Sequence, residues 1–359
     1  MSKRHELRFL PGLIFVLSLV IFLAMPSHLV QAKGADFMVK AIPSQAQYHK
    51  EVSYFDLKLA PNQQTTLQVK VSNLAEKELR LLAEPNTGYT VDAGNEAYDK
   101  ELPGKALSTA PYQLNDLLGG TQQVTIPARQ SKVLSFPVTM PANPFDGVLE
   151  GALYFFKLND TEEQATNQDG FHIKNRYAIA LGLVIRSSQG QMVSPNLRLN
   201  HITVGTTASD TFSPAVKVNL ENTQANWAHG LRINSKVTRK SDDKVLYRTK
   251  KEKVNMAANS NFDYAITTNH EPLSAGKYHL RLVARLDQKK WVFNRNFTIT
   301  AKQAKKVNAK AKLKKEKKFN WWWLLLLLLL LILIIYGVYR LGKSKGQKQQ
   351  AQSENQTKS

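Results

Sequence analysis

The chain has 359 residues, of which 43% are hydrophobic and 21% charged, and it carries a formal net charge of +21. This length allows roughly two domains, and the composition excludes a wholly disordered protein. The absence of cysteine excludes disulfides, thiolate metal sites and a cysteine nucleophile, but it leaves the compartment open.

The N-terminus has the three parts of a secretory signal peptide. A basic start precedes an apolar run over 9–25, and Ala32 follows Pro26 at a site suited to cleavage. We therefore predict a signal peptide over 1–32. An uncleaved signal anchor is the alternative, because the apolar run is almost long enough to span a membrane.

Short alternating runs separated by turn residues extend from residue 37 to residue 300. In Leu67-Gln-Val69-Lys-Val71, apolar and polar residues alternate with the period of two that places them on opposite faces of a strand. Many short strands at this spacing are typical of sandwiches. The predicted fold class is therefore all-β, with two tandem immunoglobulin-like β-sandwich domains over 33–160 and 161–301, the second including a leading strand.

A faint internal repeat also indicates two related domains. The pattern that ends at Asn73, Leu67-x-Val-x-Val-x-Asn, resembles the pattern Val216-x-Val-x-Leu-x-Asn222. Two further matches follow in the same order, and this spacing gives domains of a usual size. Because the alternation is interrupted near 187–196, we expect the two sandwiches to join there.

Two short stretches are candidates for ligand contact. Tyr54 and Phe55 are adjacent in a predicted strand, so one of the two rings is expected to be exposed. Phe145, Asp146 and Gly147 end a stretch rich in Pro and Asn. This composition favours a tight turn, with a ligand contact as the alternative.

Catalytic and metal-binding motifs are missing from the sequence. It has no G-x-S-x-G, no Gly-rich phosphate loop and no H-E-x-x-H, so we predict no enzyme, no cofactor and no metal site. The acidic stretch 159–170 is interpreted as a solvated hairpin loop. A weak Ca²⁺ site is the alternative, but the spacing matches no established calcium loop.

Positive charge accumulates toward the C-terminal end. Residues 196–301 carry 17 Lys and Arg against 8 Asp and Glu, and 302–318 carry nine lysines against Glu316 alone. This distribution argues against a nucleic-acid partner. We predict a Lys-rich stalk over 302–320, extended by like-charge repulsion, which attracts anionic wall polymers or lipid headgroups or serves only as a spacer.

An uncharged apolar segment follows the stalk. Residues 321–339 include an unbroken run of leucine and isoleucine long enough for most of a ~30 Å hydrocarbon core. We predict a single transmembrane helix. Its predicted interfacial anchors are aromatic or basic side chains at the two ends: Trp321, Trp322, Trp323, Tyr336, Tyr339 and Arg340.

Export of the N-terminal part fixes the predicted topology. Residues 33–320 are expected outside the membrane, facing the cell wall, and 340–359 are expected to form a cytoplasmic tail. The lysines outside the helix do not oppose this orientation, because long exported domains translocate largely regardless of charge.

Several short stretches, taken in order, carry a resemblance to a known family. They include Tyr54-Phe55-Asp56-Leu57-Lys58, Phe145-Asp146-Gly147-Val148 and Gly276-Lys277-Tyr278. With the signal peptide, basic stalk and terminal helix, this order resembles the WxL-interacting protein family of Gram-positive bacteria. The resemblance implies a first domain that binds peptidoglycan, a second that binds host or partner proteins, and association with surface proteins bearing a WxL domain.

Three hypotheses of function follow. The leading one is a non-enzymatic, membrane-anchored scaffold that attaches to peptidoglycan and to WxL-domain proteins. The second is an adhesin or receptor for a protein ligand without direct glycan binding, motivated by the charge balance of 196–301. The third, a subunit of a membrane enzyme or transporter, rests only on the terminal helix.

Overall fold

A computed structural model describes residues 36–100, 109–158, 165–166, 172–173, 177–207, 212–313 and 322–337. The predicted signal peptide, the acidic stretch apart from 165–166, and the predicted tail lie outside the described residues. Trp321, Tyr339 and Arg340 lie outside them as well.

The N-terminal half is built almost entirely from antiparallel strands around one core. Its elements are β1 (Phe37–Ile42), β2 (Phe55–Leu59), β3 (Gln64–Asn73), β4 (Leu79–Thr87), β5 (Tyr89–Thr90), β6 (Glu96–Ala97), α1 (Leu114–Leu117), β7 (Gln122–Ile126), β8 (Ser131–Thr139), β9 (Leu149–Lys157), β10 (Ala165–Thr166), β11 (His172–Ile173) and β12 (Ala178–Ser187). One sheet has the order β1-β3-β8 and the facing sheet the order β2-β12-β9-β4-β7.

Alternation along the strands fills the space between these two sheets. Leu67, Val69 and Val71 of β3 are fully buried, while the residues between them point to solvent. Phe136 of β8 meets Phe155 of β9 edge to face, with 6.4 Å between ring centroids, so aromatic packing joins the two layers.

The C-terminal half repeats this plan. Its elements are β13 (Leu197–Thr206), β14 (Pro214–Asn222), β15 (Ala228–Arg239), β16 (Val245–Met256), β17 (Asn261–Thr267), β18 (Gly276–Leu286), β19 (Lys289–Ile299) and α2 (Ala301–Lys310). The sheets are β13-β14-β17 and β16-β15-β18-β19, and a second apolar core lies between them. The all-β prediction is confirmed.

The internal repeat has a structural counterpart. β3 and β14 are each the middle strand of a three-stranded sheet, and each ends in a buried asparagine. Asn73 donates through Nδ2 to the carbonyls of Lys77 and Ile126 at 2.8 and 3.0 Å. Asn222 donates to those of Asn226 and Ala257 at 2.7 and 3.1 Å. In both domains a buried side-chain amide donates to backbone carbonyls beyond its own strand.

One strand lies in a different domain from the one expected. The predicted boundary assigned 161–301 to the second sandwich, which would include β12. In the structure β12 pairs antiparallel with β9 and parallel with β2, inside the five-stranded sheet of the first domain. The run 178–187 alternates with the same period in either domain, so pairing across the sheet decides its place.

The beginning of the predicted extended stalk is helical. Thr300 caps α2, accepting a hydrogen bond from the Gln303 backbone N–H at 3.2 Å. Ala304 and Val307, three positions apart, are buried against the second core. The expectation of an extended chain was wrong over 302–310, because the N-terminal cap and the apolar stripe outweigh repulsion among lysines that point to solvent.

Residues 322–337 are also helical, and their apolar side chains are exposed. In the part of the chain that the structure describes, no helix has both the length and the apolar character needed to cross a membrane.

Candidate binding cleft between the two domains

A cavity of about 520 Å³ lies where the two sandwiches meet. Its walls come from four separated stretches of chain and from Lys100. The stretches are 87–92, 110–113 without residue 111, 148–150 and 258–261. Its size falls within the range of small-molecule sites. The first domain supplies most of the walls.

The hairpin of β5 and β6 reaches across to the second domain. Thr90 accepts a hydrogen bond from the Ala257 backbone N–H at 3.1 Å, and its hydroxyl lies 2.5 Å from that of Ser260. Asp92 pairs with Lys217 at 3.0 Å and accepts from the Asp263 backbone N–H at 3.2 Å. These contacts hold one wall of the cleft against the other.

A buried carboxyl group lies in the cleft. The side chain of Glu150 accepts from the Ala258 backbone N–H at 3.0 Å and from the Tyr98 hydroxyl at 3.1 Å. Burial, followed by the nearby charge of Glu96, raises the pKa of Glu150 to about 8. Glu150 is therefore largely protonated at neutral pH and presents an uncharged carboxyl group.

A histidine from the second domain sits beside this carboxyl group. His229 contacts Glu96 through Nε2. The hydrogen bond to Glu96 raises the pKa of His229, against the opposing effect of burial. Glu96 thus influences the pKa of both Glu150 and His229, and the three side chains form one electrostatic cluster across the domain boundary.

Two tyrosine rings and one lysine also line the cleft. The Tyr89 hydroxyl donates to Asp99 at 2.5 Å, and Lys100 Nζ lies 4.4 Å from the centre of the Tyr89 ring. Burial raises the pKa of Tyr89, and the hydrogen bond to Asp99 adds to this effect. Tyr112 packs against Phe145 with 5.8 Å between centroids. Rings, an uncharged acid and a cation together suit a polar ligand that combines uncharged groups with an anionic group.

The predicted binding residues do not form one site. Phe55 is fully buried in the first core and Phe145 nearly so, which leaves neither ring a free face. Tyr54 is 36% exposed and lies over Gly182. Gly147 donates to the Gln191 carbonyl at 2.7 Å.

The turn at 145–147 joins the two domains. Asp146 accepts from the Gln191 backbone N–H at 2.9 Å, and Val148 donates to the Ala225 carbonyl at 2.7 Å. A Cβ atom on Gly147 would lie 2.0 Å from the Ala225 oxygen, and the residue has φ of +76°. Glycine is therefore required by close approach as well as by conformation. The turn prediction agrees with this geometry.

A second buried charge network lies nearby in the first domain. Asp56 contacts both Arg186 and His49, and the Arg186 guanidinium lies 5.4 Å from the Tyr48 ring and 6.0 Å from that of Trp227. Burial lowers the pKa of Arg186. Trp227 belongs to the second domain, so this network also spans the boundary.

Tyr89, Asp92 and Glu150 were not among the predicted binding residues. A usable signal existed for Glu150, which interrupts the apolar run of 148–156 and is 4% exposed. A charge within a buried strand needs a partner. For Tyr89 and Asp92 the local pattern is that of any polar hairpin.

Comparison with known proteins gives two family matches. Residues 37–157 match the family described as WxL Interacting Protein, peptidoglycan binding domain, and 168–309 match WxL Interacting Protein, host binding domain. Both descriptions are of binding domains. The second match begins at residue 168 and so includes β12, although β12 lies in the five-stranded sheet of the first domain. No curated protein matches the chain.

Solved structures give weak likenesses to fimbrial chaperones. The class 5 fimbriae chaperone CfaA is 15% identical, with a TM-score of 0.25, covering 74% of this chain and 100% of the other. The YadV chaperone is 11% identical, with the same TM-score and coverage. The CupB2 chaperone of Pseudomonas aeruginosa is 11% identical, with a TM-score of 0.23, covering 65% and 91%. Likenesses of this strength say nothing about function.

Proposed function

The chain belongs to the WxL Interacting Protein family, and we propose on this basis that it is a non-enzymatic binding protein of the cell surface. In this proposal it attaches to peptidoglycan, to WxL-domain surface proteins and to host proteins. The observation that carries the proposal is the order of the two matched domains along one chain.

Peptidoglycan is proposed to occupy the cleft between the domains. Its sugars are neutral and polar, with apolar ring faces that suit the Tyr89 and Tyr112 rings. Its stem peptides carry carboxylates that suit the ammonium group of Lys100. The protonated Glu150 can donate a hydrogen bond to an amide or hydroxyl oxygen without repelling such an anion.

A pull-down on purified peptidoglycan tests this proposal. The full chain, in an uncharged detergent, is expected to be retained at low salt and at about 0.5 M salt, where exposed charges are largely screened. Tyr89→Ala should lower retention at least fivefold, because it removes a ring that lines the cleft. Tyr177→Ala removes a tyrosine that is 45% exposed and lies away from the cleft, so it serves as the matched control.

Two outcomes would change the assignment. Retention that disappears with salt would leave charge alone as the cause, and the cleft would lose its role. Absence of binding at both salt concentrations would favour the adhesin hypothesis, in which the ligand is a protein.

Membrane anchoring by 321–339 is part of the proposal. The helical residues 322–337 expose a continuous apolar surface, with Trp322 and Trp323 each 70% exposed, and surfaces of this kind mark sites of membrane or protein contact. A chain ending at residue 313 keeps α2 and should move from the membrane fraction to the soluble fraction. Continued sedimentation with membranes would reject the anchor.

A WxL-domain protein is the proposed partner of the second domain. Purified partner is expected to bind the full chain, and to bind it equally well when the cleft carries Tyr89→Ala. Titration calorimetry measures both affinities. A partner that binds only the unsubstituted chain would place its site in the cleft instead.

A further inference from the structure

The outer face of the four-stranded sheet in the second domain is rich in cations. Inward-pointing residues of the two central strands, such as Ile233, Val237 and Leu282, are fully buried. The residues between them therefore point outward. Those outward positions hold mainly arginine and lysine.

Strand register arranges six of these cations in two rows. In each row the Cα atoms are direct partners across three neighbouring strands, so the side chains lie on one face. The rows are Arg248–Lys236–Arg281, across β16, β15 and β18, and Arg232–Arg285–Lys290, across β15, β18 and β19. We call these six residues the cationic face.

Carboxylates do not neutralise the cationic face. Among the described residues, Lys236, Arg281 and Arg285 form no ion pair. Glu252 pairs with Lys250 at 2.6 Å, and this hydrogen bond lowers the pKa of Glu252 more than the nearby charge of Arg232 does. Like charges directly opposite one another in a sheet are destabilising, so the two rows lower the stability of the isolated domain and a bound anion would relieve that cost.

The spacing of the rows suits an extended polyanion. Neighbouring strands lie about 4.8 Å apart, so each row spans about 10 Å. Four residues separate the rows along a strand, which is about 14 Å. Arginine contributes four of the six cations, and its planar fork pairs with two phosphate oxygens at once.

The surroundings of the rows disfavour a protein partner. Protein interfaces have an apolar centre and are depleted in lysine. In the described part of this sheet, only one large apolar side chain is exposed, that of Val292, at 43%. An acidic protein would find little apolar surface to bury there.

We propose that the cationic face binds a linear polymer of phosphodiester repeats. The proposal does not rest on the cleft, because the two sites share no residue. It gives the second domain a polyanionic ligand in addition to any protein partner.

Fluorescence anisotropy with labelled poly(glycerol phosphate) tests the proposal on the full chain in uncharged detergent. The triple variant Lys236→Gln, Arg281→Gln and Arg285→Gln should bind at least tenfold more weakly at low salt. Losing three cations should also reduce the slope of log K against log salt by about 2.

A matched triple variant controls for total charge. Lys40, Lys70 and Lys132 are exposed on the three-stranded sheet of the first domain, and their replacement by Gln removes the same charge. This control should bind within twofold of the unsubstituted chain. An equal loss in both triple variants would overturn the proposal, since net charge alone would then explain binding.

Competition with three other anionic ligands tests whether the cationic face prefers phosphodiester polymers. Polyglutamate, dextran sulfate and phosphatidylglycerol vesicles are each expected to compete at least tenfold more weakly than poly(glycerol phosphate). Equal competition by polyglutamate would assign the face to an acidic peptide, and equal competition by vesicles would assign it to a membrane surface. Tyr89→Ala in the cleft should leave polymer binding unchanged, so failure here and failure of peptidoglycan binding remain distinguishable.

Folding of the triple variant is checked independently. Its thermal midpoint is expected to equal or exceed that of the unsubstituted chain, because like-charge repulsion has been removed. A lower midpoint together with weaker binding would indicate that the three cations support the fold, and would reject the assignment of a site.

Discussion

The two sandwiches share a plan but use their charged residues differently. In the first domain, Asp56 is 1% exposed and contacts Arg186 and His49. In the second domain, Arg281 and Arg285 stand exposed beside other cations on a sheet face. A buried ion pair makes the fold sensitive to the loss of either partner, whereas exposed rows of one sign remain available to a ligand.

Breaking the buried pair should give the largest effect. Asp56→Ala leaves the Arg186 guanidinium, whose side chain is 12% exposed, without its carboxylate. Removing one partner of a buried pair typically costs about 3–5 kcal/mol. Urea unfolding of the first domain measures the loss.

Glu76→Ala is the matched control for Asp56→Ala. It breaks the exposed contact with Arg129 and should leave the free energy of unfolding unchanged, since exposed pairs contribute little. Similar midpoints for the two variants would contradict the contrast between buried and exposed charge.

A methyl group at the domain junction should give the next largest effect. Gly147→Ala places its Cβ 2.0 Å from the Ala225 carbonyl oxygen at a positive φ. Conformational strain alone costs about 1–3 kcal/mol, and the turn or the second domain must also shift. Limited proteolysis near residues 188–196 should become faster. Gly120→Ala, where no atom lies within 4 Å of the added Cβ, should leave the rate unchanged.

Asn73 and Asn222, which occupy corresponding positions in the two domains, allow a direct comparison of the domains. Asn73→Ala and Asn222→Ala each remove a buried side-chain amide that donates to backbone carbonyls. Each should cost about 1–3 kcal/mol, the usual penalty for an unsatisfied buried group. Denaturant unfolding is expected to show similar losses in the two domains. A large loss in the free energy of unfolding at one site alone would mean that the two asparagines share a sequence pattern but do not stabilise their domains equally.

The buried carboxyl group in the cleft should make the stability of the chain depend on pH. The pKa of Glu150 is raised from 4.5 to about 8 by burial, so the folded chain keeps a proton that the unfolded chain loses. The contribution of Glu150 to the free energy of unfolding is therefore fully present below about pH 4.5, and it is lost as the pH rises to about 8. Loss of the proton of His229, whose pKa is also raised, acts in the same direction.

Glu150→Gln should flatten that decline, because glutamine does not titrate. Unfolding midpoints across this pH range, measured in parallel for Glu84→Gln on the neighbouring strand β4, provide the comparison. A decline of the same steepness in Glu150→Gln as in the unsubstituted chain would remove Glu150 as its cause.

The sequence predicted the strands well because the signal for a strand is local. Alternation in 67–71 places apolar residues on one face whatever the partner strand is, and β3 buries those residues as expected. The repeat ending at Asn73 and Asn222 was also visible, since each asparagine is the last residue of its own strand.

The helix α2 shows how local signals compete. Nine lysines in 302–318 favoured an extended chain, but Thr300 and Gln303 form a capping box and Ala304 and Val307 are buried. The cap was readable from the sequence. The core that receives the apolar stripe was not, because it is formed by strands distant in the chain.

By itself the sequence determined the all-β class, the repeated plan and the accumulation of positive charge, since each depends on residue types and their spacing along the chain. Only the tertiary structure decided that β12 belongs to the five-stranded sheet of the first domain, that four separated stretches surround a cleft, and that six cations stand in two rows. These features depend on register and on contacts between strands far apart in sequence, where one residue of slip moves every side chain to the other face.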